Sequence, residues 1–307
     1  MTAINLTASA RLKTQLPVLA VALSGITFGT IGYSGTYLLS IGMSVSQMLF
    51  WRFFIAAFAL FFLLKRQFSQ GQFTGRKIKA FVACFLLGVA TYSVSTSCFF
   101  SAIPYIGSGI AMIIFYAFPI LVAVLNWLID GKKLSLLEGI AIAMMIPGII
   151  LLADANALQF NVYGILLGVG SAFFYGIYFY VSKKTGESLP PILASFAVCL
   201  GNTVFFAILC LLNNELSLPQ TKMVWMQCLA FGIVGTLVPL WLLFFGLKTV
   251  PITKAALISI LEPITTVMIG VMVLEEQLSL SQALGVVLML AAVVMVQTKG
   301  HLKVRYE

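Results

Sequence analysis

Apolar residues in this chain form long unbroken runs, and polar residues gather in the short gaps between them. A helix crossing a hydrocarbon core of roughly 30 Å needs about 20 consecutive apolar residues. That window predicts ten spans, over 17–39, 46–64, 80–101, 105–129, 135–153, 162–182, 190–212, 223–247, 251–274 and 279–297. Gly, Pro, Asn or paired charges mark several joints, at Gly42–Ser44, Asp130–Lys133, Lys183–Glu187, Asn213–Glu215 and Glu275–Glu276. The joint between the third and fourth spans is the least distinct. The first run follows Arg11 and Lys13 but is too long for the core of a signal peptide, so it reads as a retained span.

Composition agrees with this pattern. Of 307 residues, 61% are hydrophobic and only 9% charged, whereas a soluble domain carries about 25% charged residues. Such a surface calls for lipid as its outer solvent. The net charge of +9 does not indicate nucleic acid, because the basic residues sit in short clusters between apolar runs. With both termini in the cytoplasm of a bacterial-type cell, fifteen of the eighteen Lys and Arg residues fall inside. Only Lys222 lies in an outer loop, and Arg52 and Lys254 lie within spans. This is the bias of the positive-inside rule, and it supports an even number of crossings of the inner membrane.

Two stretches resemble one another. Tyr105 to Pro119 followed by Leu134-Ser-Leu136 aligns with Thr249 to Pro263 followed by Leu278-Ser-Leu280. The alignment matches Ala111 with Ala255, Ile114 with Ile258, Pro119 with Pro263 and Ile120 with Ile264. A weaker echo pairs Ser24 with Ser171, Gly29 with Gly176 and Tyr33 with Tyr180. Five spans per half is an odd number, so the second half starts on the opposite side. The expected fold is an all-α membrane protein of ten transmembrane helices in two inverted five-helix repeats. The first repeat covers 17–153 and the second 162–297, joined by a linker at 154–161 and flanked by cytoplasmic tails at 1–16 and 298–307. Inverted repeats around a midplane site are common in secondary transporters. Function read from architecture alone is analogy.

The stretch Val250-Pro-Ile-Thr-Lys-Ala-Ala-Leu-Ile-Ser-Ile-Leu-Glu-Pro263, with Leu274-Glu-Glu-Gln-Leu-Ser279 after it, resembles the drug/metabolite transporter superfamily in its EamA-type ten-helix branch. Trp51-Arg-Phe53 and Phe115-Tyr-Ala-Phe-Pro119 add to the resemblance, which extends from about 17 to 297. It implies a central cavity lined by the first four helices of each half, and small organic solutes such as amino acids or nucleotide-like metabolites as cargo. One departure stands out. The family usually has Gly-Glu before the fifth span, where this chain has Gly131-Lys-Lys133.

Ionisable groups inside a membrane are costly unless paired or solvated, so they mark functional pathways. Glu262 falls roughly 16 Å from the inner end of the ninth span, near mid-membrane. Pro263 beside it excludes the carbonyl of Ser259 from the helix ladder, leaving a kink and an acceptor next to the carboxyl. The group suits a substrate ammonium or a coupling proton, and equally a structural carboxyl buried against an opposite charge. Arg52 lies about 9 Å from the outer end of its span, within reach of Glu262 or of the lipid headgroups. Lys254 suits the cytoplasmic headgroups better. Tyr33, Tyr92, Tyr116, Tyr175, Tyr178 and Trp241 form an aromatic set suited to a cavity or to ordinary packing, with Asn202 and Ser259 as further hydrogen-bonding candidates. Pro119, Pro239 and Pro263 are the expected kink prolines.

The single histidine, His301, lies in the C-terminal tail, which removes Ser–His dyads and His-x-x-x-His zinc sites. The five cysteines lie within apolar runs at spacings that match no metal motif. No cofactor or metal is therefore expected, nor an enzymatic activity, and no Walker motif points to ATP. The expected partners are a small-molecule substrate and membrane lipid, not nucleic acid, and a homodimer is compatible with the sequence. A secondary carrier is the leading expectation, with a passive channel or a membrane scaffold as the alternative.

Overall fold

The computed structural model describes residues 2–68, 75–131, 136–152, 161–185, 189–247, 250, 258 and 261–303. Among these, all regular structure is helical. The first half contains α1 (Thr2–Gly29), α2 (Ile31–Ser40), α3 (Val45–Phe68) and α4 (Gly75–Leu87), which widens into a π-helical turn, π1 (Gly88–Tyr92), before α5 (Ser93–Phe115). Helices α6 (Phe118–Asp130) and α7 (Leu136–Leu152) complete it. The second half contains α8 (Val162–Thr185), α9 (Pro191–Leu212), α10 (Lys222–Gly232), a second π turn π2 (Ile233–Leu237), α11 (Val238–Leu247), α12 (Leu261–Val273) and α13 (Leu280–Lys303). Among the described residues, six stretches are long and apolar enough to cross a membrane, and four shorter helices are also apolar. Large apolar side chains cover the outside, Phe58 at 57% exposure and Leu166 at 63% among them, as a lipid-facing surface requires.

The boundaries differ from the expected ones in instructive ways. The apolar run Gly75–Phe115 is 41 residues long, about twice what one crossing needs. It breaks at Gly107, whose φ of 77° and ψ of 160° are non-helical. Only glycine adopts that conformation without strain, so Gly107, rather than the 102–104 joint, divides the arms 93–106 and 108–115. Pro104 stays inside the first arm.

The first span is also not one helix. It breaks at Thr30, and the Gly29 carbonyl accepts instead from the Thr266 hydroxyl of α12, at 3.0 Å. Of the prolines expected to kink helices, Pro119 stands in the first turn of α6 after a break at Tyr116–Ala117, where an N–H has no helical acceptor and proline costs little. Pro239 lies inside the continuous helical stretch Lys222–Leu247, directly after π2.

Polar ties link loops between the halves. Ser44 donates to Glu215 at 2.7 Å, and the Gln47 amide and Trp51 indole both donate to Ser217. Glu276, between α12 and α13, accepts from the Ser108 hydroxyl and backbone N–H (2.7 Å each) and from the Gly109 N–H (3.1 Å). Its carboxylate thus caps the arm that starts after Gly107. Anionic caps suit the positive end of the helix dipole.

Candidate functional site

A cavity of about 300 Å³ lies between the halves. Its walls come from α1, α2, α3, α4, π1 and α5 of the first half and from α8, α9, π2, α11 and α12 of the second. That volume is at the lower end of those that hold small-molecule ligands.

Arg52 of α3 is 2% exposed and forms part of the wall. Its Nε donates to the Thr236 hydroxyl at 2.8 Å, and Tyr92 lines the same wall. The guanidinium stands 4.8 Å from the Phe231 ring centroid, 5.0 Å from Phe53 and 5.7 Å from Phe100. Three ring faces therefore stabilise a cation that lipid would reject. The placement begins in local structure. A Cβ on Gly232 would come within 2.8 Å of the Ile55 side chain and 3.0 Å of the Arg52 carbonyl, so only glycine lets α10 cross α3 this closely. The chain then widens into π2, and the Thr236 hydroxyl reaches back to the Phe231 carbonyl at 3.2 Å while accepting from Arg52.

Glu262 of α12 faces the same cavity. Its Oε2 accepts from the Tyr116 hydroxyl at 2.8 Å, and Tyr116 is presented by the break between α5 and α6. Among the described residues, no ion pair joins Glu262 to Arg52 or either of them to another charge. Among the described lining residues the cavity holds one basic and one acidic group, Arg52 and Glu262, each hydrogen-bonded to a neutral partner.

Tyr92, Tyr175 and Tyr178 form a wall between them, with centroids 4.8 Å apart for Tyr92–Tyr178, 5.8 Å for Tyr92–Tyr175 and 5.6 Å for Tyr175–Tyr178. Phe115 packs on Tyr175 at 4.7 Å. Ser95 adds a polar edge and donates to the Ser171 carbonyl.

Other expected residues lie elsewhere. Trp241 is 55% exposed on α11 and packs beside Phe245, on the outer surface. Asn202 is fully buried in α9, where it donates to the Val198 carbonyl at 2.9 Å beside Gly88. Its position next to a tight helix crossing leaves it outside the cavity wall. Tyr33, half-buried on α2, is not part of the wall either. Ser259 and Lys254 lie outside the described residues. Thr236, Thr96 and the three phenylalanines around Arg52 were not singled out from the sequence; a threonine after glycine in an apolar run was the one available sign.

The model of the EamA-like transporter family matches residues 15–153 and again 162–298. The chain belongs to that family. As an EamA-like protein of the drug/metabolite transporter superfamily, it is an integral multi-pass membrane transporter. An uncharacterized transporter of Archaeoglobus fulgidus is 24% identical over 276 residues, covering 89% of this chain and 93% of the relative. The uncharacterized transporter YwfM of Bacillus subtilis is 26% identical, covering 64% of this chain and 67% of its own length. A solved crystal structure superposes with a TM-score of 0.65 at 15% identity over 95% of this chain and 98% of that one, a likeness of fold.

Proposed function

We propose that this EamA-like protein is a secondary carrier that moves a small polar organic metabolite, such as an amino acid or a nucleotide-like solute, across the inner membrane by alternating access. The observation that carries the reading is the Arg52–Glu262 cavity, enclosed by helices from both halves of the chain. In this reading the halves are inverted five-helix repeats over 17–153 and 162–297, giving ten crossings with both termini in the cytoplasm. The two family matches support it, as do the π turns at Gly88–Tyr92 and Ile233–Leu237, which fall at corresponding places in the halves. A π turn is a weak point in a helix and recurs at functional sites.

The cavity wall reaches Ser182 and Leu189, which flank the basic pair Lys183–Lys184. Under the proposed topology that end is cytoplasmic, and the opposite end carries the ties of Ser44, Gln47, Trp51 and Glu276. The conformation is then the inward-facing one. Closing the inner end while releasing those ties would complete the exchange.

The test has two steps. A metabolite library is screened by thermal shift on the purified protein, since a ligand of the native state raises its apparent stability. The stabilising solute is then assayed in proteoliposomes. A carrier gives saturable counterflow, whereas a pore gives flux without it. Glu262→Gln is expected to abolish or strongly reduce transport; full transport by this variant at every pH would remove Glu262 from both substrate binding and proton coupling.

A further inference from the structure

Glu276 stands just past the end of α12, half-buried, and its carboxylate fills a seat walled by glycines. A Cβ on Gly109 would meet its Oε2 at 3.1 Å, and a Cβ on Gly270 would meet its carboxyl carbon at 3.0 Å. There it accepts from the Ser108 hydroxyl and from the Ser108 and Gly109 N–H groups. Its own N–H donates to the Gly270 carbonyl at 2.9 Å. Glu275 before it has a φ of 55°, a left-handed conformation that a glutamate keeps only where its surroundings enforce it. The gripped arm leads to the cavity. It carries Met112 and Phe115 in the wall and ends at Tyr116, which donates to Glu262 near the start of α12. The arm and α12, one from each half, are thus tied at both ends, and Gly109 faces Val267 between the ties. Breaks at Gly107 and at Tyr116–Ala117 separate the arm from the helices on either side.

Two helices tied at both ends and broken from their neighbours move as one body. From this geometry we infer that Glu276 is the latch of the outer end and a positioning residue for Glu262. Its carboxylate clamps the arm against α12, holds that end shut and sets the Tyr116–Glu262 contact from the far end of the same unit. Charge gives the latch its strength, since charge-assisted hydrogen bonds are about twice as strong as neutral ones. The coupling runs both ways. A group that draws Tyr116 off Glu262 loosens the grip of Glu276, and release of Glu276 loosens Tyr116. The inference rests on the carrier reading for the exchange that the latch serves, but the link between the two ties does not require transport.

Cys199, which lines the cavity, reports the state of the latch. In the full chain with its other cysteines replaced by serine, an impermeant maleimide is applied to membrane vesicles of either orientation. Glu276→Gln is expected to raise the ratio of outer to inner labelling about fivefold or more over the parent. Gly270→Ala keeps the charge but fills its seat, so it should do the same, and it carries the test if Glu276→Gln fails to fold. Glu276→Asp keeps the charge on a shorter side chain and should fall between. In a Tyr116→Phe background the effect of Glu276→Gln should differ about threefold or more from its effect alone, because groups in one unit are not additive. A lower melting temperature with an unchanged labelling ratio in both Glu276→Gln and Gly270→Ala makes Glu276 a helix cap only and overturns the inference. Effects of Glu276→Gln and Tyr116→Phe that simply multiply overturn its coupling to Glu262. A ratio that shifts as expected in protein that gives no solute counterflow sinks the carrier reading alone.

Discussion

The hydroxyl of Tyr116 is a small group with a large influence on this site. It is the side-chain donor that meets the Glu262 carboxyl, at 2.8 Å, and Tyr116 is itself only 3% exposed. Hydrogen bonds to charged groups contribute roughly 1.5–3 kcal/mol. Tyr116→Phe removes the bond while keeping the ring, so the melting temperature should fall and substrate affinity should change by about tenfold. Measuring both on one preparation separates binding from folding; unchanged affinity would show that Tyr116 is packing alone. Thr236 is the corresponding residue for Arg52. Thr236→Val keeps the shape and removes the acceptor from Nε, leaving a buried donor without its partner. The expected result is a loss of stability of about 1–3 kcal/mol, seen as a lower midpoint in detergent denaturation. At this scale the sequence was informative about charge and silent about support. Arg52 and Glu262 stood out because ionisable groups are rare within apolar runs. Nothing local distinguishes Phe53, Phe100 and Phe231 from the chain's other phenylalanines, because their role depends on three helices meeting.

At the scale of helices, the close crossings and the breaks do the positioning. Gly232 against α3 is the contact that brings π2 to Arg52. Gly232→Leu would drive a side chain into Ile55 and the Arg52 carbonyl, and overpacking of this kind costs typically about 1–3 kcal/mol. The variant should therefore melt lower and bind substrate more weakly. A variant that binds as wild type would detach the crossing from the site. The Glu276 cap belongs to the same scale. Glu276→Gln keeps the shape of the side chain but loses the charge that faces the Ser108 and Gly109 N–H groups. Charge-assisted bonds are about twice as strong as neutral ones, so a lower melting temperature is expected. In the other half, Lys132 and Lys133 stand where the resemblance leads one to expect an acidic residue. Helix type was legible along the chain because length and apolarity suffice for it. The breaks at Thr30, Gly107 and Tyr116–Ala117 were not, since each follows from backbone geometry and from partners distant in sequence. The first is the clearest example, where Thr266 of α12 takes the Gly29 carbonyl.

At the scale of the whole molecule, the proposed topology makes a prediction independent of any substrate. Epitope tags on the two chain ends should both be reached by antibody only in inside-out vesicles. Tags on opposite faces would leave an odd number of crossings and end the inverted-repeat proposal. The native thiols Cys84 and Cys199 supply a second measurement, because both line the cavity. In single-cysteine variants they should react with an impermeant maleimide from the cytoplasmic side, and bound substrate should slow the reaction.

Sequence alone determined the solvent, the class of secondary structure and the family. Apolar runs without covering polarity can be stable only in lipid, and lipid leaves the backbone of such runs no choice but to satisfy itself as helix. Tertiary structure decided which charges share a chamber, which hydroxyls hold them and where each crossing bends. Those features arise where residues more than a hundred positions apart come into contact, such as Arg52 with Thr236 and Tyr116 with Glu262, and a one-dimensional pattern carries no record of such distances.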